Sequence, residues 1–477
     1  VLKNIYIRLG ANAFIEAINF VTSVLLFRAF GAEIIGLIAY YYSLAGICSL
    51  FTDLGISTAY NKFIASEQRH EDITAYLFLK LLLIGLYVVI FFGVYFLKLR
   101  TTGLDDMLLF ILFLGFFLDL LGQIFTSTFI GRRDFAYLSK VGIISSVILA
   151  GYNLIVCFVI RDKYFLAGNK IILPMMTIAA GIIYFHNKKI FRLEPPRWVV
   201  IKKYVSYSLP IAFSSIVSQF TSYFDKLIVG KLVGIEEVGW YQIALRCYTV
   251  LDNFVRPVTE TLFTEIIHRI ANVPSFFHKK FRDLVEVLSF SGSVITIGIV
   301  FLSTPMIYYL LGAGNIRGAF ILKFFSLALL AKLFWRPYQH VLYAIEKHKW
   351  ILYPLPVQLV VMVACYYFLI PLKLNGFYLG AAALPLTEFI IWILPGGLIT
   401  IYLLKKEYGN IHMAEIILKT GLPLLIVVVA GYMFKFSLLA LPVLLILFLA
   451  VEYIFKVINK ERWNQLVEPL NLAFLKI

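Results

Sequence analysis

Eight basic residues sit inside long apolar stretches of the chain: Lys80, Lys226, Arg246, Arg256, Lys323, Lys332, Arg336 and Lys419. A charge at the centre of a membrane-spanning helix costs roughly 2.5–3.5 kcal/mol on insertion scales, so each one at depth needs a partner, water or a bound anion. Lys80, Lys323 and Lys419 lie close enough to helix ends for the ammonium to reach the interface along its own stem. Arg256 has Asp252 and Glu260 one turn to either side, so it is either neutralised within its own helix or offered to a ligand. Lys332 and Arg336 share a helical face with no acid in that helix, and their compensating charge must come from elsewhere. A bound anion would supply it, because guanidinium groups hold phosphate oxygens through paired donors. Arg256–Pro257 and Arg336–Pro337 each place a guanidinium beside a residue that removes a helix hydrogen bond. That permits either a bend that opens a vestibule or a plain kink.

The acids at comparable depth are Glu16, Asp53, Asp119, Asp225, Asp252, Glu260, Glu388 and Glu452. Some must be counter-ions, and others are candidates for carrying a coupling proton or Na+. Glu16 is the first choice, because it sits in the middle of a polar stripe formed by Arg8, Asn12, Glu16, Asn19 and Ser23. The stripe's spacings of four, four, three and four keep it on one helical face.

The elements that carry these residues follow from composition: 61% hydrophobic and 15% charged residues over 477 positions suit a polytopic membrane protein. Apolar runs of roughly 20 residues recur with short polar breaks, each long enough to cross a bilayer as a helix. The expected spans are 7–29, 35–58, 74–97, 106–129, 137–160, 165–186, 205–231, 237–262, 284–311, 317–344, 350–371, 377–403, 414–434 and 437–458. The fold class is therefore all-α with about 14 transmembrane helices, counts of 12 or 13 remaining open. With the first segment inside, 25 of the 43 Lys and Arg residues fall on inner segments and 10 on outer ones, which places both termini in the cytoplasm. No cleavable leader precedes the first span, so that span is expected to remain in the mature protein. The basic, proline-interrupted stretch "HNKKIFRLEPPRWVVIKK" reads as an inner linker. The expected division is a lobe of six helices at 1–186, a cytoplasmic linker at 187–204, a second lobe of six at 205–404, and two further helices with a tail at 405–477.

A short motif is written twice, "GAEIIG" at 31–36 and "GIEEVG" at 234–239, 203 positions apart. The same offset places Asn12, Glu16, Asn19 and Ser23 opposite Ser215, Gln219, Ser222 and Lys226, and Arg28 opposite Lys231. An even number of spans separates the copies, so the halves form a parallel repeat about an axis along the membrane normal. Two matched stripes, to which Asp53, Asp225 and Asp252 add charge, favour a shared polar cavity over simple interhelical glue.

Enzyme signatures are missing: there is no phosphate-binding nucleotide loop, no H-E-x-x-H zinc motif and no large extramembrane segment, so no catalytic residue, metal or cofactor is expected. Energy must come from a gradient or from the substrate. Cys48, Cys157, Cys247 and Cys365 all lie within spans, far apart, which suits packing and not a disulfide or metal framework. The net charge of +16 is dispersed over loops, so anionic lipid headgroups explain it better than nucleic acid. Tyr40, Tyr41 and Tyr42, with Tyr308 and Tyr309, read as an interfacial belt, with sugar stacking the minor alternative. The tail "NKERWNQLVEPLNLAFLKI" is expected to lie along the inner surface.

Two stretches carry a resemblance: "YSLPIAFSSIVSQFTSYFDKLIVGKLVGIEEVGWYQIALR" at 207–246 and "FRAFGAEIIGLIAYYYSLAGICSLFTDLGISTAYNKFIA" at 27–65. Together they resemble the starts of the two lobes of Wzx-type polysaccharide flippases, in the superfamily that also holds multidrug exporters and the lipid II flippase. The resemblance implies two six-helix lobes around a cation-rich cavity, with two extra C-terminal helices. It further implies that lipid-linked oligosaccharide moves from the inner to the outer leaflet of a bacterial cytoplasmic membrane by alternating access, for lipopolysaccharide or capsule synthesis. Polysaccharide polymerase and chain-length proteins are its candidate partners. The expected anion-binding set is Arg256, Arg336, Lys332, Lys226 and Arg246. The expected polar and coupling set is Glu16, Asn12, Asn19, Asp53, Gln219, Ser222, Asp225, Asp252 and Glu260. A multidrug/cation antiporter of the same superfamily is the first alternative, disfavoured by cations at depth. A membrane polymerase or ligase, which needs a sizeable outer loop, is the second.

Overall fold

The computed structural model describes residues 2–67, 70–97, 105–188, 197–272, 282–344, 354–374 and 377–408, with single positions 442, 446, 448 and 449. Apart from one two-residue antiparallel hairpin, β1 (Lys373–Leu374) with β2 (Phe377–Tyr378), the regular structure in these residues is helical. Eight of the helices are long and apolar enough to cross a membrane. The expected spans 414–434 and 437–458, together with the tail, fall almost wholly outside the described residues. Chain contacts divide the protein into two compact units, Val1–Arg246 and Cys247–Ile477.

The first unit begins with α1 (Leu2–Ile47), which contains two helices joined at Gly31, where φ is +72°. Its second hairpin is α7 (Trp198–Leu232) and the start of α8 (Ile235–Asn272), joined at Gly234, where φ is +140°. Both turning residues are the first glycine of the doubled motif, at a backbone conformation that L-residues with a Cβ rarely adopt. The last glycine of each copy does something different. A methyl added at Gly36 would collide with the carbonyl oxygen of Ile235, and one added at Gly239 with the carbonyl oxygen of Ala32. The two copies therefore cross backbone against backbone, each glycine seated on the first helical residue of the other copy. α7 begins at Trp198, so 198–204 of the expected linker is helix, while 189–196 lies outside the described residues.

The second span was expected to run unbroken over 35–58. Instead the helix stops at Ile47 and resumes as α2 (Ile56–Glu67) after an irregular stretch that includes Leu54 at φ +45° and Gly55 at φ +74°. Ser49 Oγ and Thr52 Oγ1 donate to the carbonyls of Gly46 and Ser49, satisfying backbone acceptors that the interrupted helix releases. Around this break pack α3 (His70–Leu97), α4 (Asp106–Gly131), α5 (Phe135–Ile155, extended by a wide turn to Ile160) and α6 (Lys163–Asn187). The core between them is apolar and aromatic, with Tyr60 and Tyr76 stacked at 4.0 Å and Phe91 on Phe113 at 3.9 Å.

At the start of α4, Asp105 Oδ2 accepts from Lys163 Nζ at 2.6 Å and from Tyr164 Oη at 3.0 Å, and Oδ1 caps the helix through Leu108 N. Burial disfavours its ionised form, but these bonds outweigh that and hold the carboxyl below the ordinary carboxylate range.

The second unit contains the rest of α8, then α9 (Arg282–Leu311), α10 (Ile316–Ala344), α11 (Pro354–Leu369), α12 (Ala383–Ile391), a wide turn at Trp392–Gly397 and α13 (Leu398–Tyr408). α9 packs along α10, which also carries α12. Pro337 sits inside α10.

Candidate functional site

In the first unit, helix α8 brings Arg246 to Glu16 of α1, with Arg246 Nη2 donating to Glu16 Oε2 at 3.0 Å. Both side chains are about a quarter exposed, so this pair is partly shielded from water. The acid singled out for ion coupling thus serves as a counter-ion to one of the cations expected to bind substrate.

Two lysines stand close to that pair. Lys170 is seven residues into α6, about 10 Å from its start. It had been counted among loop residues in the sequence, but the structure places it inside a span, its stem against Gly115 of α4 and its ammonium 5.0 Å from the Tyr42 ring centroid. Lys170 interacts electrostatically with Arg246 and with Asp119, which is one turn beyond Gly115 on α4. Lys226, near the end of α7, donates to the Ser222 carbonyl at 2.5 Å and interacts with Lys170 and with its neighbour Asp225. Asp225 in turn accepts from Tyr241 Oη at 3.5 Å. Among the described residues neither Lys170 nor Lys226 has an ion-pair partner. Three cations from α6, α7 and α8 thus gather beside three acids from α1, α4 and α7, and two of the cations are left without a salt bridge.

A second set runs from this cluster towards the break after α1. Asp119 Oδ2 accepts from Gln123 Nε2 at 3.1 Å, Gln123 Oε1 accepts from Lys80 Nζ at 3.4 Å, and Lys80 Nζ pairs with Asp53 Oδ1 at 2.8 Å. Ser57 Oγ also donates to Asp53. Lys80 was expected to snorkel to the interface; its side chain is in fact fully buried, and the partner making that tolerable is Asp53, released from helical geometry by the break. Because an ammonium only donates, Lys80 fixes the Gln123 amide with its oxygen towards Lys80 and its nitrogen towards Asp119.

In the second unit, Arg336 meets Asp252 of α8 through two contacts, 3.2 Å from Nη1 to Oδ1 and 3.4 Å from Nη2 to Oδ2. Lys332 pairs with Glu388 of α12 at 2.6 Å and donates to Tyr248 Oη at 2.6 Å. The sequence offered a bound anion as compensation for these two cations. The structure corrects that: acids on the neighbouring helices α8 and α12 provide it.

The side chains of Arg256 and Glu260 lie outside the described residues, as does Lys419. Within the polar stripe, Asn12 is exposed while Asn19 and Gln219 are half-buried, and none makes a side-chain hydrogen bond among the described residues. Ser222 is exposed and turned back on its own helix, donating to the Ser218 carbonyl. Sequence reasoning missed Lys170, Gln123 and Tyr248. The "GFFLD" of α4 was a usable signal for Lys170, since Gly115 marks where another backbone comes close.

A family model described as "Polysaccharide biosynthesis protein" matches residues 1–263. Teichuronic acid biosynthesis protein TuaB of Bacillus subtilis is 22% identical over 241 residues, 49% of this chain and 48% of that protein. Probable low-salt glycan biosynthesis flippase Agl15 of Haloferax volcanii is 24% identical over 258 residues, 54% of this chain and 53% of that protein. The chain thus spans about half the length of the curated relatives it matches. Among solved structures, the lipid II flippase MurJ in an inward closed conformation superposes with a TM-score of 0.67 at 17% identity, covering 93% of this chain and 96% of that one. An inward-facing multidrug resistance MATE family transporter of the MOP superfamily superposes with a TM-score of 0.62 at 15% identity, covering 82% and 96%. These likenesses show the fold: an all-α, multi-pass membrane architecture of the kind shared by MurJ and MATE transporters.

Proposed function

Since the chain belongs to the polysaccharide biosynthesis protein family, we propose that it is a flippase. It carries polyprenyl-diphosphate-linked oligosaccharide from the inner to the outer leaflet of a cytoplasmic membrane by alternating access, without catalysing a covalent step and driven by an ion gradient. The observation that carries this reading is the gathering of Lys170, Lys226 and Arg246 in the membrane-spanning part of the first unit, with two of the three lacking a salt bridge. A diphosphate exposes several charged oxygens that cannot cross hydrocarbon unaided. Each charge-assisted hydrogen bond offered by such a cluster contributes about 1.5–3 kcal/mol. Lys332 and Arg336, already neutralised, are better suited to holding α8, α10 and α12 together than to seizing the head group. A cation antiporter would want the reverse balance, with acids left open and cations paired. Both termini are assigned to the cytoplasm, and polymerase and chain-length proteins are the partners to seek at the outer face.

The test is chemical: cells lacking this protein should accumulate a lipid-linked glycan on the inner leaflet, and wild-type protein should clear it. Lys170→Gln and Lys226→Gln at matched membrane abundance should clear it slowly. Unchanged lipid-linked glycan on loss of the protein would contradict the reading.

A further inference from the structure

The charge arrangement in the first unit carries a consequence for energy coupling. Lys170 stands between two claims: on one side Lys226 and Arg246, with which it forms the cation cluster, and on the other Asp119. Asp119 is half-buried and bonded to Gln123, and among the described residues no cation forms a salt bridge with it. The groups acting on it come from the surrounding helices: Lys170 from α6, Lys80 from α3, Tyr42 from α1 and Tyr223 from α7, with none from α5. Lys80 is committed to Asp53 at 2.8 Å, so Lys170 is the cation able to change its allegiance.

We propose that Asp119 is the coupling proton site, and that an anion bound at Lys170 and Lys226 loads it by drawing Lys170 away. The proposal rests on the anion-site reading above. Before binding, Lys170, Lys226 and Arg246 balance Asp119, Asp225 and Glu16, so the cluster is neutral. An entering phosphate adds negative charge to a site of low dielectric and takes the ammonium that stabilised the Asp119 carboxylate. A proton arriving from water on one Asp119 oxygen restores the balance, while Gln123 Nε2 goes on donating to the other. Lys80 fixes the direction of that amide, so Gln123 continues to bond Asp119 in either protonation state. Anion and proton therefore bind together and leave together, and a proton gradient drives the anion. Glu16, held by Arg246, is not needed for this.

The test uses purified full-length protein in lipid nanodiscs and inorganic pyrophosphate as the probe. Calorimetric titrations in buffers of different ionisation enthalpy count the protons taken up on binding. The wild type should take up about one proton per anion more than Asp119→Asn, and its affinity should rise as pH falls by up to about tenfold per unit beyond the pyrophosphate's own ionisation. Asp119→Asn should bind with an affinity free of that extra dependence, and Lys170→Gln should bind weakly. Should Asp119→Asn fail to fold, infrared difference spectra of the wild type alone suffice, because pyrophosphate should produce a protonated-carboxyl band. Binding with equal proton uptake in wild type and Asp119→Asn, or with no carboxyl band, overturns the coupling proposal and leaves the anion site standing. Absence of binding to the wild type overturns both.

Discussion

Replacing either closing glycine of the doubled motif with alanine should destabilise the first unit, although alanine is the better helix former. In an unobstructed helix the exchange gains about 0.5–1 kcal/mol, mainly by restricting the unfolded chain. At Gly36 the added methyl meets the Ile235 carbonyl and lies 2.7 Å from Gly239 N; at Gly239 it meets the Ala32 carbonyl and lies 2.8 Å from Ala32 Cα. Overpacking costs about 1–3 kcal/mol, and the upper end applies because the obstacles are backbone atoms that cannot rotate aside. The clash therefore wins, with a net loss of about 2 kcal/mol for each variant. The double variant should cost less than the sum, since one methyl already parts the helices that the second would part. Gly85→Ala in α3 is the internal control: nothing lies within 4 Å of an added Cβ there, so it should be stabilising. Denaturant unfolding of the purified proteins in one detergent measures all four. If Gly36→Ala and Gly239→Ala stabilise as Gly85→Ala does, the backbone crossing is not as described.

Two further perturbations separate structural charge from surface charge. Lys80→Met should cost about 3 kcal/mol, the lower end for a broken buried pair because Asp53 is partly exposed, and Lys80→Met with Asp53→Leu should recover most of it. A neutral single variant in thermal unfolding would return Lys80 to a snorkelling role. Asp105 has a depressed native pKa, so its stabilising bonds to Lys163 and Tyr164 should be intact above about pH 4 and be lost as pH falls further. Asp105→Asn should flatten that acid limb of the stability profile, and an unaltered limb would count against the assignment.

Much of the architecture was legible in the sequence because hydrocarbon imposes it: a chain that must satisfy its backbone internally over roughly 20 apolar residues has few options besides helix. The doubled motif was legible for the same reason that it exists. A turn needing positive φ and a crossing needing no Cβ each demand glycine, so Gly31 and Gly234, and Gly36 and Gly239, recur at one offset. Pairings across helices were not legible. Arg336 and Asp252, or Lys332 and Glu388, are brought together by packing between elements far apart in the chain, and nothing in the spacing within α10 announces it. Counting along a helix located Lys80 near an end, whereas its environment was decided by the break at 48–55, which lets Asp53 reach inwards. Lys170 was misplaced because its span begins at Lys163, so a residue seven positions in looked like loop.

The most direct measurement of the central claim is leaflet exchange in proteoliposomes. A fluorescent oligosaccharide linked to undecaprenyl diphosphate is placed in both leaflets of vesicles containing the purified protein, and a membrane-impermeant quencher or glycan-cleaving enzyme is added outside. Wild-type protein should expose the inner-leaflet pool to the reagent, faster with a proton gradient directed along the transport direction, and Lys170→Gln with Lys226→Gln should slow exposure at equal protein content. An inner pool that stays protected, as it does in protein-free vesicles, would contradict the account.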